Sequence, residues 1–528
     1  MKSIKVDLIV HNATIYSMDV AENQYEAMAI KDGKIVELGP ERQILNKYWA
    51  DSYHDVQKKI IYPGFIDAHC HFLGLGQTLL QVDLKSAQTY DEMLNTLSEY
   101  GKKHTETWIV GRGWDHTLWP NTILPHKNQL DSLFPDRPVL LTRVDGHAAI
   151  ANSVALKILA FDENTKVPGG HLDTDENGLT GIVYDKAIHR IRDSIPLLTK
   201  STLINALLLA QQKCFEVGLT TVDDAGLTKR DLDIIERLHA ESRLKMRIYA
   251  MLSDNRENFE HYLKTGPIKT ERLHINSFKF YGDGSLGSRT ACLLLPYSDM
   301  PENNHYGIMM YHPDTLKKYA RQVYNAGFQL NTHCIGDSAV RLVAKVYGEI
   351  LGGVNDKRWR IEHAQVIHQR DFELFRQYTI LPSVQPTHAT SDYRWAELRL
   401  GAMRLKQGYA YKILLEQNGI IALGTDFPVE DYSPIGTFYA AVFRKDRNGN
   451  PKGGFLSDNA LSRREALLGM TFWAALANFE EHEKGSLEPG KLADFIILDK
   501  DLMTAPEGEI LKARIINTFV NGEKVYGN

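Results

Sequence analysis

Eight short apolar runs, each ending in polar or charged residues and separated by helical stretches, predict an α/β fold built on a (β/α)8 barrel. A gap after the first run, far longer than one helix, predicts an insertion within residues 72–200. Two β-rich stretches at opposite ends of the chain predict a small β-sandwich domain assembled from both termini.

The terminal stretches come first. "VDLIVHNATIYSM" and "EAMAIKDGKIVELG" are short β-branched runs, and Asp32-Gly33 marks a tight hairpin between strands. "ADFIILDKD" (493–501) and "RIINTFVNGEKVYG" (514–527) have the same texture, with Asn521-Gly522 as the turn. The expected division is 1–60 with 436–528 for the sandwich and its flanking C-terminal helices, and 61–435 for the barrel. The barrel runs are "IIYPGFIDAHCH" and then segments 218–226, 245–254, 275–285, 328–337, 358–366, 379–388 and 419–428. Segments 201–217 and 314–327 carry apolar residues at i, i+3, i+4 spacing and read as helices.

Composition narrows the class. The chain has 528 residues, 43% hydrophobic and 24% charged, which suits a globular protein with a substantial core. A net charge of −5 gives no reason to expect nucleic acid or an anionic membrane surface as partner. Cys70, Cys214, Cys292 and Cys334 form no CxxC pair, which argues against a disulfide scaffold or a thiolate zinc site. The N-terminal residues alternate like a strand and lack a signal peptide's apolar run, and no apolar stretch is long enough to span a bilayer. A cytoplasmic protein acting on a small molecule is expected, with a homodimer as one possible assembly.

Barrel enzymes place their chemistry at the C-terminal ends of the strands. Those ends carry His69 and His71 on run one, Lys279 on run four, His333 on run five, His363 on run six and Asp426 on run eight. Residues i and i+2 of a strand share a face, so His69 and His71 point together and Cys70 points away. Imidazole and carboxylate suit a divalent metal, zinc first, with manganese, iron or nickel also compatible. A free ammonium at Lys279 would repel a cation. Carboxylation by carbon dioxide would turn it into an anionic carbamate able to bridge two ions, and the alternative is an ordinary salt-bridge lysine. Phe278 and Phe280 would face the helices, leaving Lys279 inward.

The series "PGFIDAHCH", "FKFYGDGSLGSRTA", "NTHCIGD", "IEHAQ" and "LGTDFPV", closed by "GSLEPGKLADFIILDKD", resembles the amidohydrolase superfamily. More narrowly it resembles the branch of metal-dependent hydrolases that contains N-substituted formamide deformylase. "HNATIYSMD" and "VDGHAAIANSVAL" (144–156) fit the same branch. The resemblance implies one metal on His69 and His71, a second on His333 and His363, Lys279 as carbamate bridge if the site is binuclear, and Asp426 as ligand and proton shuttle. One ion or two are both compatible with it.

The expected reaction is hydrolysis of a C–N bond, an amide or an N-formyl or N-acyl group, by water acidified to a pKa of about 7 at the metal. Asp426 would take the water's proton and return it to the leaving amine. Cyclic imide hydrolysis and deamination are the enzymatic alternatives, and a non-catalytic metal-stabilised regulator is the alternative of another class. Within the insertion, Trp114 in "GRGWDHTLWP" and His147 are substrate-binding candidates, with Asn152 a further polar pocket group. Arg289 is a fork for either a substrate carboxylate or an internal one. "GDGSLG" (282–287) is not expected to bind a dinucleotide, because Pro296 and Pro301 follow and no helix opens there. "DTDENG" (173–178) is expected to be a hairpin turn, since Tyr184 stands where a calcium loop needs Glu. Cys70 and Cys334 are expected to be buried structural thiols.

Overall fold

The computed structural model describes residues 4–103, 107–144, 146, 148–167, 170–196 and 198–527. Eight parallel strands form the central sheet: β1 (Phe65–Cys70), β2 (Leu219–Leu227), β3 (Arg247–Ser253), β4 (Leu273–Tyr281), β5 (Gln329–Cys334), β6 (Arg360–His363), β7 (Leu381–Val384) and β8 (Ala422–Leu423). They neighbour one another in chain order from β1 to β8, and each matches one of the eight apolar runs, β2 extending one residue past its run and β4 beginning two residues before its own. The backbone beyond β8 returns to β1: Asp426 N donates to the His69 carbonyl and His71 N to the Phe427 carbonyl, both at 2.8 Å. That approach needs glycine at 424, where a Cβ would lie 2.5 Å from His69 N and 2.8 Å from Asp67 Oδ1.

The pleat sorts the side chains as the alternation requires. Phe278 stacks on Phe259 of the helix Arg256–Thr265 at 5.0 Å, and Phe280 stacks on Tyr311 at 5.5 Å. Lys279 between them therefore points into the barrel and is 1% exposed. The helices expected at 201–217 and 314–327 are Lys200–Glu216 and Pro313–Asn325.

The helices Arg463–Gly469 and Phe472–Ala477 lie C-terminal to the expected boundary at 436, yet they pack with the barrel. Ala474, Ala475 and Ala477 share a core with Ile66, Ala68, Leu381 and Ala422, and Ile66 N donates to the Met470 carbonyl at 2.8 Å. Small apolar residues on these helices let them approach β1 and β8, while Arg463 also donates to the Leu502 and Ala505 carbonyls of the C-terminal stretch.

Those strands form two sheets. One runs Lys34–Gly39, Ala27–Lys31, Ile4–His11, Tyr48–Asp55. The other runs Glu523–Tyr526, Ile515–Val520, Phe495–Leu498, Ile60–Pro63, Thr14–Tyr16, Gln24–Tyr25, so both chain ends enter it. Val10, Met28 and Ile30 of the first sheet pack with Ile15, Ile61, Ile497 and Phe519 of the second, the arrangement of a sandwich.

Residues 75–206 form a compact unit of their own. Its sheet runs Gly170–Asp175, Gly178–Asp185, Ala148–Ala151, Val139–Arg143, Ile109–Trp114, Val82–Asp83. The segment 173–178 is the turn of its first hairpin, with Asp175 opposite Gly178. No helix of the described residues is long and apolar enough to cross a membrane.

Candidate metal centre

The side chains at the C-terminal ends of β1 and β6 meet the loop after β8 inside the barrel. His71 Nε2 stands 3.2 Å from Asp426 Oδ1, and His69 Nε2 stands 3.7 Å from the same oxygen. His69, His71 and Asp426 form one compact donor triad; His363, His388 and Asp426 form a second, with donor atoms in each triad within 4.8 Å of one another. Asp426 belongs to both. Its φ of 61° and the 71° of His363 lie in the left-handed region, where strain in non-glycine residues is tolerated chiefly at functional sites.

Lys279 Nζ reaches His69 Nε2 at 3.0 Å. Burial pushes its ammonium down to about 8. His69 is pushed down to about 4 by burial and by the Lys279 charge, and His333 to about 3 by the same causes. These imidazoles are neutral at pH 7, the form that binds a metal. Burial works against ionisation of Asp426, but His71, His69 and His388 hold its carboxyl far below the usual range.

The tautomer of His69 is fixed from behind. Its Nδ1 lies 2.5 Å from Glu362 Oε2, while Glu362 Oε1 accepts from Arg360 Nε at 2.7 Å. The proton on Nδ1 leaves the Nε2 lone pair directed into the site. His333 Nε2 is 3.1 Å from the Gly284 carbonyl, so its Nδ1 carries the free lone pair. His333 sits beside His363 with ring centroids 4.4 Å apart but is in neither compact triad.

Beneath the histidines, Arg360 donates to Asp223 Oδ2 and Ser383 Oγ, each at 3.0 Å, and to the Ala68 carbonyl. Asp67 accepts from Thr425 N at 3.0 Å and Thr425 Oγ1 at 2.7 Å, locking the loop that presents Asp426 to β1. All of these side chains are buried.

The donor chemistry fits a divalent cation. One buried ring nitrogen, His363 Nδ1, has no hydrogen-bond partner among the described residues, and Asp426 Oδ1 makes no hydrogen bond of good geometry. Imidazoles around one ionised carboxylate are a common donor set for such ions.

Sequence reasoning brought His69, His71, Lys279, His333, His363 and Asp426 together, and the fold places all six at this end of the barrel. It missed His388, which closes the seventh run but lies on the helix Pro386–Asp392 beyond β7. It missed Glu362 and Arg360 as well. Alternation along "RIEH" puts both on one face, and a charged pair there was the available signal.

The substrate-binding candidates fare differently. Trp114 is fully buried in the core of the 75–206 unit, its indole Nε1 donating to the Leu141 carbonyl at 2.8 Å and its ring beside Trp119. That corrects the pocket role expected for it: the ring serves packing. Asn152 caps the helix Ser153–Ile158 and donates to the Phe134 and Arg137 carbonyls, which likewise assigns it to structure. Arg289 grips Asp299, with Nη2 at 2.9 Å from Oδ2, so its fork holds an internal carboxylate rather than a substrate's. His147 lies outside the described residues. "GDGSLG" opens no helix, and Cys70 and Cys334 are buried, which pushes both thiols up and leaves neither as a nucleophile.

An eight-stranded parallel barrel carrying imidazoles and one ionised carboxylate at its strand ends defines a metal-dependent hydrolase. The sequence profile of the Amidohydrolase family matches residues 54–526, and the chain belongs to that family. It is 32% identical to Protein LONG AFTER FAR-RED 3 of Arabidopsis thaliana over 99% of this chain and 92% of that protein. It is 24% identical to N-substituted formamide deformylase of Arthrobacter pascens over 98% of this chain and 97% of that one. Among solved structures, an uncharacterized metal-dependent hydrolase from Pyrococcus horikoshii OT3 superimposes with a TM-score of 0.81 at 28% identity, covering 95% of this chain and 99% of that one.

Proposed function

We propose that this protein hydrolyses a C–N bond of an N-formyl or N-acyl amine, with zinc held by His69, His71 and Asp426, by a carbamate on Lys279, and by His333 and His363. The carrying observation is the Asp426 carboxylate, ionised, buried and within 3.2–3.7 Å of three imidazoles, where a general base for water has to sit. The full-length similarity to N-substituted formamide deformylase supports the substrate class. The lowered basicity of Lys279 supports the carbamate, because the free amine is the form that adds to carbon dioxide.

A divalent ion bound there supplies a Lewis acid that acidifies water and polarises a carbonyl. The chain does the rest. Asp426 accepts a proton from the attacking water and donates it to the departing nitrogen, acting first as base and then as acid. Glu362 and Arg360 keep His69 in one tautomer.

The test is release of free amine from a panel of N-formyl and N-acyl amines by purified, zinc-reconstituted protein. Turnover abolished by Asp426→Asn supports the reading. Absence of turnover across the panel with metal fully loaded overturns it in favour of a non-catalytic regulator. Ammonia as product would mark a deaminase, and a single product carrying acid and amide together a cyclic imide hydrolase.

A further inference from the structure

We propose that His388 is a catalytic residue of this site: its Nε2–H donates to the substrate oxygen that becomes negatively charged as water adds. The inference rests on the hydrolase reading above. His388 Nε2 is buried, makes no hydrogen bond among the described residues, and faces Asp426 Oδ2 at 3.5 Å, beyond the usual hydrogen-bond length. A buried polar atom left unpaired calls for an explanation, and beside the Asp426 carboxylate a ligand atom supplies one. Asp426 turns its two oxygens to different partners, Oδ1 to His71 at 3.2 Å and Oδ2 to His388. The proton shuttle and the unpaired nitrogen therefore address the same spot.

The tautomer follows from the surroundings. His69 and His333 each commit an outer ring nitrogen to an acceptor, Glu362 and the Gly284 carbonyl, which leaves a lone pair for a metal. His388 has no such anchor among the described residues. The nearest negative charge is the Asp426 carboxylate, and it favours the proton on Nε2. Asp392, one turn further along the same helix, is held by Tyr409 Oη at 2.8 Å and Gln365 Nε2 at 2.7 Å. The ring is steadied by stacking on His363, with centroids 5.7 Å apart and planes 11° from parallel.

In the step this serves, the water oxygen bonds to the carbonyl carbon and the C=O π pair moves onto the carbonyl oxygen, where His388 Nε2–H meets it. The water's proton goes to Asp426. The C–N bond then breaks, its pair leaving on nitrogen, which takes that proton from Asp426. Amide plus water becomes acid plus amine, and His388 ends as it began. A donor aimed at a developing oxyanion is stronger in the transition state than in the ground state.

The experiment uses the full chain reconstituted with zinc, as wild type, His388→Phe and His388→Gln. Three quantities are read: zinc content, calorimetric affinity for inorganic phosphate as a tetrahedral oxyanion probe, and kcat and KM on the N-formyl amine the wild type turns over. Zinc content is expected to be unchanged. Phosphate affinity should fall roughly tenfold in His388→Phe, with partial rescue in His388→Gln, whose amide N–H can still donate. The kcat should fall about 10²–10³-fold in His388→Phe, with KM shifted far less. Loss of one zinc equivalent in both variants would overturn the proposal by making His388 a metal ligand. Unchanged phosphate affinity and kcat, or a wild type that holds zinc but not phosphate, would overturn it while leaving the hydrolase reading intact. A wild type that takes up no divalent metal overturns both.

Discussion

Glu362 receives the Nδ1 proton of His69 at 2.5 Å on one oxygen and the Arg360 Nε proton at 2.7 Å on the other. Burial opposes its charge, but Arg360 and His69 hold the carboxyl far below the ordinary range, so it is an anion in the barrel floor. An anion behind a metal-binding imidazole fixes the ring and raises its basicity. Glu362→Gln keeps the shape and removes the charge. Its affinity for zinc, measured by competition with a chromogenic chelator, is expected to fall about 10–100-fold. An unchanged affinity would mean that His69 is positioned by packing alone.

Arg360 ties this anion to the rest of the floor. Its guanidinium reaches Glu362, Asp223, Asn478, Ser383 and the Ala68 carbonyl, joining β1, β2, β6 and β7. Arg360→Met would leave two buried carboxylates without their counter-charge, a loss of about 3–5 kcal/mol. Guanidinium unfolding is the measurement. Arg360→Lys should recover little, because a point charge cannot serve five acceptors that a planar fork reaches at once.

This network also shows where the sequence stops being legible. The strands were readable because the barrel strands sit in short apolar runs that end in polar residues, and period-two alternation then assigned Phe278, Lys279 and Phe280 to the correct faces. His69, His71, His333, His363 and Asp426 were readable because polar residues ending such runs have one place to go in a barrel. Arg360 and Glu362 end the same run, but charges in a strand can face solvent or a partner, and the partners Asp223 and Asn478 lie 137 and 118 residues away in the chain. His388 was hidden by local geometry: Pro386 opens a helix straight after β7, so strand periodicity no longer says where position 388 points. Trp114 misled for the opposite reason. Aromatic residues in a glycine-containing loop read as ligand contacts, whereas Ile109–Trp114 is an inner strand of its own sheet.

Lys279 makes a prediction that separates its two readings. As a carbamate it is an anionic ligand; as a plain ammonium beside His69 Nε2 it competes with a cation. Lys279→Ala is expected to lower zinc content and activity together. In protein equilibrated with ¹³C-labelled bicarbonate, a carbamate carbon resonance should be present in wild type and absent in the variant. Full zinc occupancy and a normal rate in Lys279→Ala would overturn the assignment.

Trp114 belongs to the core formed with Trp119, Leu141, Ile109 and Ile150. Trp114→Ala is expected to destabilise the 75–206 unit by about 3–5 kcal/mol, read as an earlier unfolding transition, with zinc content retained. Trp114→Phe keeps most of the packing and loses the indole bond to Leu141. A KM that stays at wild type in Trp114→Phe fits a packing residue, and a large rise in KM with stability intact would return the ring to the substrate pocket.

His239 gives the stability a pH dependence that is independent of the metal centre. It lies on the helix Lys229–Ala240, its Nε2–H donating to the Met246 carbonyl at 3.0 Å and its Nδ1 buried without a partner among the described residues. Burial pushes it down to about 4; the bond to Met246 opposes this, and the charges of Arg272 and Arg247 add to it. In the unfolded chain the same ring titrates near 6.5. Between those values the unfolded state holds more protons than the folded one, so stability falls as pH drops through that window. Above about pH 7 both states are neutral and the contribution is constant. His239→Gln keeps a donor for Met246 and removes the titration. The gap in guanidinium midpoint between wild type and variant should therefore shift in favour of the variant on going from about pH 7 to about pH 5. A gap that does not change with pH would show that the ring is solvated in the folded protein.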